Sequence, residues 1–390
     1  MSPRTHTTPA LRLATFQVRS PDTEALVTDT GGRALEIDAI RGWAALAVVC
    51  FHVFWETFGV AVPWLRNPYT AFLLAGHFDV ILFFILSGDA LSYPFFHGGD
   101  VRYLQRAALK RYPRLTVPIV VVTAATALCM AGGQVTVAAA GRAVGRPDWL
   151  GTFVDFHASG ATAIRFAFYA VYAGNPPKDY LPFLWTMPIE LLGSLCLLLA
   201  LFVVPRVRGG GVIMTAVAFC LTLGGSALGC FLVGALLGQA RAVGLYTRLP
   251  RAFGRYGAPL GIVLALVALG YRQGHDLYDL RGHVAAGTVL LFCIYACQPA
   301  VRWLSRNRFS QFLGRISYLL YLWHFVVLIT ITSRLIVLEA GQEGAISTSA
   351  ALIIGSLALV VSVAVSRWTL FIEGWARSVK GMILGALWKE

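Results

Sequence analysis

Charge is scarce in this sequence: only 13% of its 390 residues are Asp, Glu, Lys or Arg, and acidic residues are the rarer sign, 19 against 32 basic ones. Hydrophobic residues make up 57% and mean hydropathy is +0.69. So little polar surface cannot cover a water-soluble fold of this length. The seven cysteines, at positions 50, 129, 196, 220, 230, 293 and 297, are odd in number, include no C-x-x-C pair and all lie in apolar stretches. That excludes a disulfide framework and a zinc finger, and reads them as small core residues. No continuous apolar run precedes Ala39, which excludes a cleavable signal peptide and leaves a polar N-terminal tail. Internal repeats are not evident. A net charge of +13 would suggest nucleic-acid binding in a soluble protein. Here the placement of the cations points to a membrane.

Apolar segments run at about 40–60, 73–96, 115–132, 181–204, 211–224, 226–240, 257–271, 283–304, 316–338 and 346–370. A bilayer crossing needs about 20 mostly apolar residues whose backbone groups are satisfied within the helix. The expected fold class is therefore an all-α integral membrane protein of about 10 transmembrane helices, both termini cytoplasmic. The segments around 211–240 meet at Gly224, Gly225 and Ser226, and could form one long helix or a tight hairpin. Lys and Arg concentrate on cytoplasmic loops. With two crossings there, 23 of the 32 basic residues lie inside, whereas one crossing would throw the later basic loops outside. The expected organisation is a disordered polar tail over 1–35, a transmembrane domain over 36–375 and a short cytoplasmic tail over 376–390. The longest non-cytoplasmic connection, 133–180, carries Asp148, Trp149, Asp155, His157 and Tyr180, and suits a binding element, a lid or a surface cap.

Ionisable residues inside a span cost about 2.5–3.5 kcal/mol each on insertion scales, so those present are functional candidates. In LEIDAIRGWAALAVVCFHVFW, His52 lies about 16 Å further along the first helix than Arg41. An imidazole, with an unperturbed pKa of about 6.5, can take a proton from a hydroxyl near neutral pH, or can serve as a core side chain bonded to a neighbouring helix. The stretch LQRAALKRYPRLTVP places Arg106, Lys110, Arg111 and Arg114 at the cytoplasmic mouth of the third span, either as a phosphate site or as an ordinary positive flank. Guanidinium groups at Arg111-x-x-Arg114 can fork onto phosphates. In FFILSGDAL, Ser87 and Gly88 allow close helix approach, and Asp89 requires a cation or a proton; sequence does not say whether it meets Arg41. Glu190 follows Pro188 in the fourth span. His324 ends GRISYLLYLWH in the ninth, where Tyr318, Tyr321 and Trp323 suit a pocket or an interfacial aromatic belt.

Taken together and in this order, these segments resemble the acyltransferase-3 family of membrane acyltransferases, from Leu35 to about Glu373. The pattern D-x-x-R-G-x-A with a His beyond it is met by Asp38, Arg41, Gly42, Ala44 and His52. F-F-x-x-S-G is met at Phe83, Phe84, Ser87 and Gly88, R-x-x-R at Arg111 and Arg114, and W-x-x-x-x-E at Trp185 and Glu190. The most specific match, G-x-x-S-Y-x-x-Y-x-W-H, falls on Gly314, Ser317, Tyr318, Tyr321, Trp323 and His324, and LFIE ends at Glu373. Asp89 departs from the family pattern, which has an apolar residue there, and no SGNH-type esterase domain is expected after the last span.

The resemblance implies an O-acyltransferase of the plasma membrane, moving an acyl group, most often acetyl, from cytoplasmic acyl-CoA to a hydroxyl of a carbohydrate or glycoconjugate at or across the membrane. It implies His52 as base, with Arg41 steadying the thioester oxygen or orienting His52, and Glu190 and His324 as further catalytic candidates. Arg111 and Arg114 would hold CoA phosphates, with Arg106 and Lys110 as a second register. Ser87, Gly88, Asp89, Trp185, Ser317, Tyr318, Tyr321 and Trp323 would shape the pocket. Acyl-CoA is then a co-substrate, with no bound cofactor and no metal. The expected partners are acyl-CoA, the acceptor and the lipid bilayer, with no nucleic acid; a homo-oligomer or a separate acceptor-side partner stays open. The rival class is a secondary transporter, which also buries Arg, His, Asp and Glu in a bundle but is expected to pair discontinuous helices in two repeat halves. A scaffold without activity would need neither His52 beside Arg41 nor the R-x-x-R pair.

Overall fold

The computed structural model describes residues 34–67, 69–173, 179–341 and 344–387. Apart from Ala34 and Leu35, the tail expected over 1–35 lies outside the described residues. The main helices are, in chain order, α1 (Leu35–Thr57), α2 (Gly76–Phe96), α3 (Val101–Ala131), α4 (Pro182–Arg206), α5 (Gly210–Leu223), α6 (Leu228–Ala242), α7 (Phe253–Gly274), α8 (Leu280–Ala296), α9 (Gln298–Arg306), α10 (Arg308–Ala340), α11 (Thr348–Trp368) and α12 (Phe371–Leu387). Among the described residues there is no β-strand. Seven helices, α1 to α4, α7, α10 and α11, are long and apolar enough to cross a membrane. The protein is an all-α integral membrane protein.

The remaining apolar segments behave individually. α5 and α6 hold 14 and 15 residues and turn tightly between them, as the charge bias required. Gly225 in that turn has φ +75°, a left-handed backbone that only a residue without Cβ takes at no cost. The single span expected at 283–304 is instead broken: α8 and α9 meet at 87°. Pro299, in the first turn of α9, lacks the N–H that would continue α8, and the chain turns at Cys297. α3 starts at Val101, earlier than expected, so the basic stretch is part of a helix of 31 residues, about 46 Å long. At the other end, the domain boundary expected at 375 falls inside α12, which is continuous from Phe371 to Leu387.

Two close helix pairs organise the bundle, and both are built on glycine. A Cβ on Gly42 of α1 would collide with the backbone of Gly314 of α10, and one on Gly314 would lie 2.6 Å from the Asp38 carbonyl oxygen. Contacts at Leu35–Gln311, Asp38–Gly314 and His52–His324 advance together, so α1 and α10 run parallel. α2 and α6 meet likewise. Gly88 abuts the Phe231 backbone, Gly234 abuts the Ile85 carbonyl, and Gly238 sits 2.8 Å, for an added Cβ, from an Asp89 carboxylate oxygen. Small residues four apart let helices approach where lipid supplies no hydrophobic drive to associate. Parallel pairing of α1 with α10 and of α2 with α6 agrees with α5 and α6 crossing separately and with α8 and α9 counting once.

Outside these pairs, Leu260, Val263, Leu264 and Val267 of α7 stand more than half exposed. A hydrocarbon environment covers such a row, which a soluble protein would not tolerate. Trp43 stacks on Trp303 and donates to Ser310 Oγ at 3.1 Å.

Candidate active site

A cavity of about 510 Å³ opens between the starts of α1, α4, α10 and α12, the middle of α3 and the later part of α2. Six arginines line it: Arg41, Arg111, Arg114, Arg241, Arg315 and Arg377, against three acids, Asp38, Glu190 and Glu373. Its size suits a small-molecule site; Arg111 and Arg241 are neutralised by buried carboxylates, and the guanidinium groups on its exposed side, Arg114, Arg315 and Arg377, favour an anion. Tyr318, Ser317 and Gly314 add the wall from α10, and α12 contributes Glu373, Ala376 and Arg377. The outer side of α12 exposes Phe371, Trp375 and Met382, which fall on one helical stripe, while Ile372 packs inward.

At the inner end a hydrogen-bonded chain ties four helices. Arg41 Nη2 of α1 donates to Ser87 Oγ of α2 at 2.9 Å, and Ser87 Oγ donates to Glu190 Oε1 of α4 at 2.7 Å. Arg111 of α3 forms an ion pair with the same Glu190 oxygen, and its Nε donates to Ser194 Oγ at 2.7 Å. Arg111 is buried, 5% exposed, so its pairing with Glu190 is what makes a charge tolerable there.

Beyond this chain lies the histidine pair. His52 sits in a π-helical turn, Phe51–Thr57, at the end of α1, and a second such turn, Leu328–Thr332, follows His324 on α10. Turns with an extra residue occur mostly at functional sites, where they re-aim side chains. His324 Nε2 lies 3.2 Å from His52 Nδ1, and His324 Nδ1 lies 3.2 Å from the Leu320 carbonyl oxygen. His324 is 1% exposed; His52 is partly accessible. The His52 ring stacks on Phe183, centroids 3.8 Å apart. Neither histidine lines the arginine cavity. Tyr321 and Thr186 line it and stand between: the Tyr321 hydroxyl donates to the Phe183 carbonyl, lies 3.0 Å from Thr186 Oγ1, and its ring is 5.9 Å from that of His324.

The 133–180 connection reaches the same place. Arg146 Nη1 donates to the Glu56 carbonyl at 2.8 Å and Nη2 to Glu56 Oε2 at 2.9 Å, one helical turn beyond His52. That clamp sets Trp149 parallel to His52, ring centroids 6.2 Å apart, with Arg146 over the indole. Its described residues are therefore packed structure carrying a short helix, Val137–Ala143, and an aromatic wall of Trp149 and Phe153 beside Phe183.

Several expected residues converge and others do not. Arg41, Ser87, Glu190, Arg111, Arg114, Ser317, Tyr318 and Tyr321 share the cavity, and His52 meets His324. Tyr318 and Tyr321 are thus pocket residues rather than belt residues; the Tyr318 hydroxyl donates to the Leu115 carbonyl at 2.9 Å. Arg111 and Arg114 do not act as a matched fork, because Arg111 is spent on Glu190 and Ser194. Asp89 does not meet Arg41. It pairs with Arg241 of α6 at 2.7 Å and accepts from the Tyr295 hydroxyl at 2.6 Å, while Arg241 also reaches Glu36 at 2.9 Å. Gly88 is a packing position against Phe231, and Trp185 is 47% exposed and outside the cavity lining, as are Trp323, Arg106 and Lys110. Sequence reading missed Arg241, Arg315 and Arg377, which look like ordinary positive-inside cations until folding buries Arg241 and sets Arg315 and Arg377, still exposed, along the cavity. For Arg241 a signal existed: it ends an apolar helix three residues after the Gly234–Gly238 pair.

Helices that line a cavity with six arginines, two of them buried, and hold His324 against His52 behind it define a polytopic membrane protein with an internal polar site. Its family is the acyltransferase-3 family: the family model described as an acyltransferase domain matches residues 35–367, and the chain belongs to it. Among curated proteins it is similar to the O-acetyltransferase PaAT-1 of Phomopsis amygdali, 28% identical over 366 residues, covering 76% of this chain and 72% of that one. No solved structure matches. Membership replaces the transporter reading with that of a multi-pass membrane acyltransferase.

Proposed function

We propose that this protein is a membrane O-acyltransferase that moves an acyl group, acetyl in the first instance, from acyl-CoA to a hydroxyl of a carbohydrate or glycoconjugate, at the plasma membrane. The observation that carries the reading is the pairing of an arginine-lined cavity with a histidine pair just behind its inner wall. The similarity to an O-acetyltransferase supports oxygen as the acceptor atom and acetyl as the group.

In this reading the CoA phosphates occupy the mouth of the cavity, near Arg114, Arg315 and Arg377, and the thin pantetheine arm runs inward past Ser87 and Tyr321. Arg41, held by Ser87 and Glu190 at a level about 16 Å along α1 from His52, lies too far from that base to share one acyl carbon with it, and instead faces the CoA arm on its way inward. His52 takes the proton of the acceptor hydroxyl as its oxygen bonds to the acyl carbon. The carbon–sulfur bond then breaks, and the same proton passes to the departing thiolate. Tyr321 must swing aside, because its bonds to Phe183 and Thr186 close the path between cavity and histidines. The acceptor is reached from the side of Trp149, whose indole stands parallel to the His52 ring, centroids 6.2 Å apart.

Purified protein incubated with labelled acetyl-CoA and host membranes, followed by mass analysis of labelled products, tests the reaction. Transfer that depends on His52 supports the reading. Label recovered only as unreacted acetyl-CoA, from protein whose folding is verified, refutes it. The donor role has its own test: Arg315→Ala and Arg377→Ala are expected to raise the KM for acetyl-CoA several-fold each while leaving the acceptor KM in place.

A further inference from the structure

We infer that His324 is a positioning residue that fixes the tautomer of His52, so that the proton-accepting atom of the site is Nε2 of His52. The inference rests on His52 being the base proposed above, and adds which of its two nitrogens works and what holds it so.

The geometry leaves little freedom. His324 Nδ1 lies 3.2 Å from the Leu320 carbonyl oxygen, which can only accept, so Nδ1 carries the hydrogen. In a neutral imidazole the other nitrogen then has a lone pair. His324 Nε2 therefore accepts, and the atom facing it at 3.2 Å, His52 Nδ1, must donate. His52 is left with its own lone pair on Nε2, the nitrogen on the far side of the ring from His324. The logic is that of a base whose second nitrogen is held by an orienting partner. Here that partner is a neutral imidazole, fully buried, itself locked to the backbone of α10.

The proton then has a defined route. As the acceptor oxygen bonds to the acyl carbon, its hydrogen moves to His52 Nε2. The resulting imidazolium keeps its Nδ1–H on His324 Nε2, a bond that strengthens with the charge. When the carbon–sulfur bond breaks, the thiolate takes the hydrogen from Nε2, and both imidazoles return to their starting forms. His324 gains and loses no proton and touches no substrate. Its placement comes from the Gly42–Gly314 contact, which sets the register of α1 on α10.

The experiment uses full-length protein labelled with ¹⁵N-histidine; the chain has eight histidines, and the His52 signal is assigned by its loss in His52→Asn. Two-bond nitrogen–proton correlations distinguish the tautomers directly. The expected result is His52 protonated on Nδ1, the less populated form of a free imidazole; His52 protonated on Nε2 in the wild-type protein overturns the inference. A kinetic arm compares His324→Gln, which keeps an acceptor near the Nε2 position, with His324→Phe, which keeps bulk alone. With CoA release from acetyl-CoA as readout, His324→Phe is expected to lower kcat by about 10²–10⁴-fold at unchanged acetyl-CoA KM, and His324→Gln to stay within about tenfold of wild type. His324→Phe equal to or better than His324→Gln means a packing role and sinks the inference. Should His52→Ala itself retain turnover, the base assignment fails first; His52 essential but indifferent to both His324 variants removes the positioning role alone.

Discussion

Gly314→Ala is the substitution that best isolates the helix pair beneath the site. A Cβ there would sit 2.6 Å from the Asp38 carbonyl oxygen, against about 3.4 Å for the near limit of ordinary contact, so α1 and α10 must separate locally by roughly 0.8 Å. The atom in the way is backbone, which cannot rotate aside. His52 and His324 face each other further along the same two helices at 3.2 Å, already near the long end of a hydrogen bond. Rigid separation carries them to about 4 Å, where the bond is lost. Misplacement of a catalytic group by about 1 Å costs on the order of 10²-fold in rate, and overpacking costs about 1–3 kcal/mol in stability. The assay is CoA release from acetyl-CoA together with thermal unfolding of the purified variant. Gly234→Ala, which collides with the Ile85 carbonyl in the α2–α6 pair, is the control. It is expected to lower the melting temperature comparably and turnover far less. Full turnover in Gly314→Ala, or an equal loss in both variants, would refute the claim that the α1–α10 register aligns the histidines.

Removing one partner of the buried Arg111–Glu190 pair, by Arg111→Met or Glu190→Gln, is expected to cost about 3–5 kcal/mol, and the double variant less than the sum; additive losses in denaturation would show that the pair is not a unit. Glu56→Gln, which weakens the Arg146 clamp, is expected to raise proteolysis between residues 137 and 160 and to weaken acceptor use with acetyl-CoA KM unchanged; an equal effect on both substrates argues against an acceptor-side wall. Cysteines introduced at 5 and 388 are expected to label from the cytoplasm and one at 155 from outside, since the basic loops then lie inside; cytoplasmic labelling at 155 inverts the topology. A neutral histidine base makes the rate fall as pH drops and the imidazole protonates, so that acid limb is expected in wild type and absent from the residual activity of His52→Gln.

Much of the fold was written along the chain, because a bilayer admits few solutions: long apolar runs must be helices, and unpaired cations must lie outside them. That fixed the all-α class, the hairpin at Gly224–Gly225 and the local motifs around Arg41, Ser87, Glu190, Tyr321 and His324. Hydropathy could not show the 87° break between α8 and α9, since Pro299 leaves composition unchanged while altering backbone geometry. Partner choice was the larger gap. Asp89 needed a cation, and sequence offered Arg41; packing of Gly88 and Gly234 brought Arg241 instead. Arg111 had the spacing of a phosphate fork, but its depth in α3 gave it to Glu190. The meeting of His52 with His324, 272 positions apart, depends on two glycines that let parallel helices touch in one register. Sequence by itself determined which runs are helices and flagged most of the ionisable groups within them, through the cost of leaving them in lipid; which groups face each other, and that Arg241 turns inward, was decided by helix contacts of a few ångströms, to which local pattern is blind.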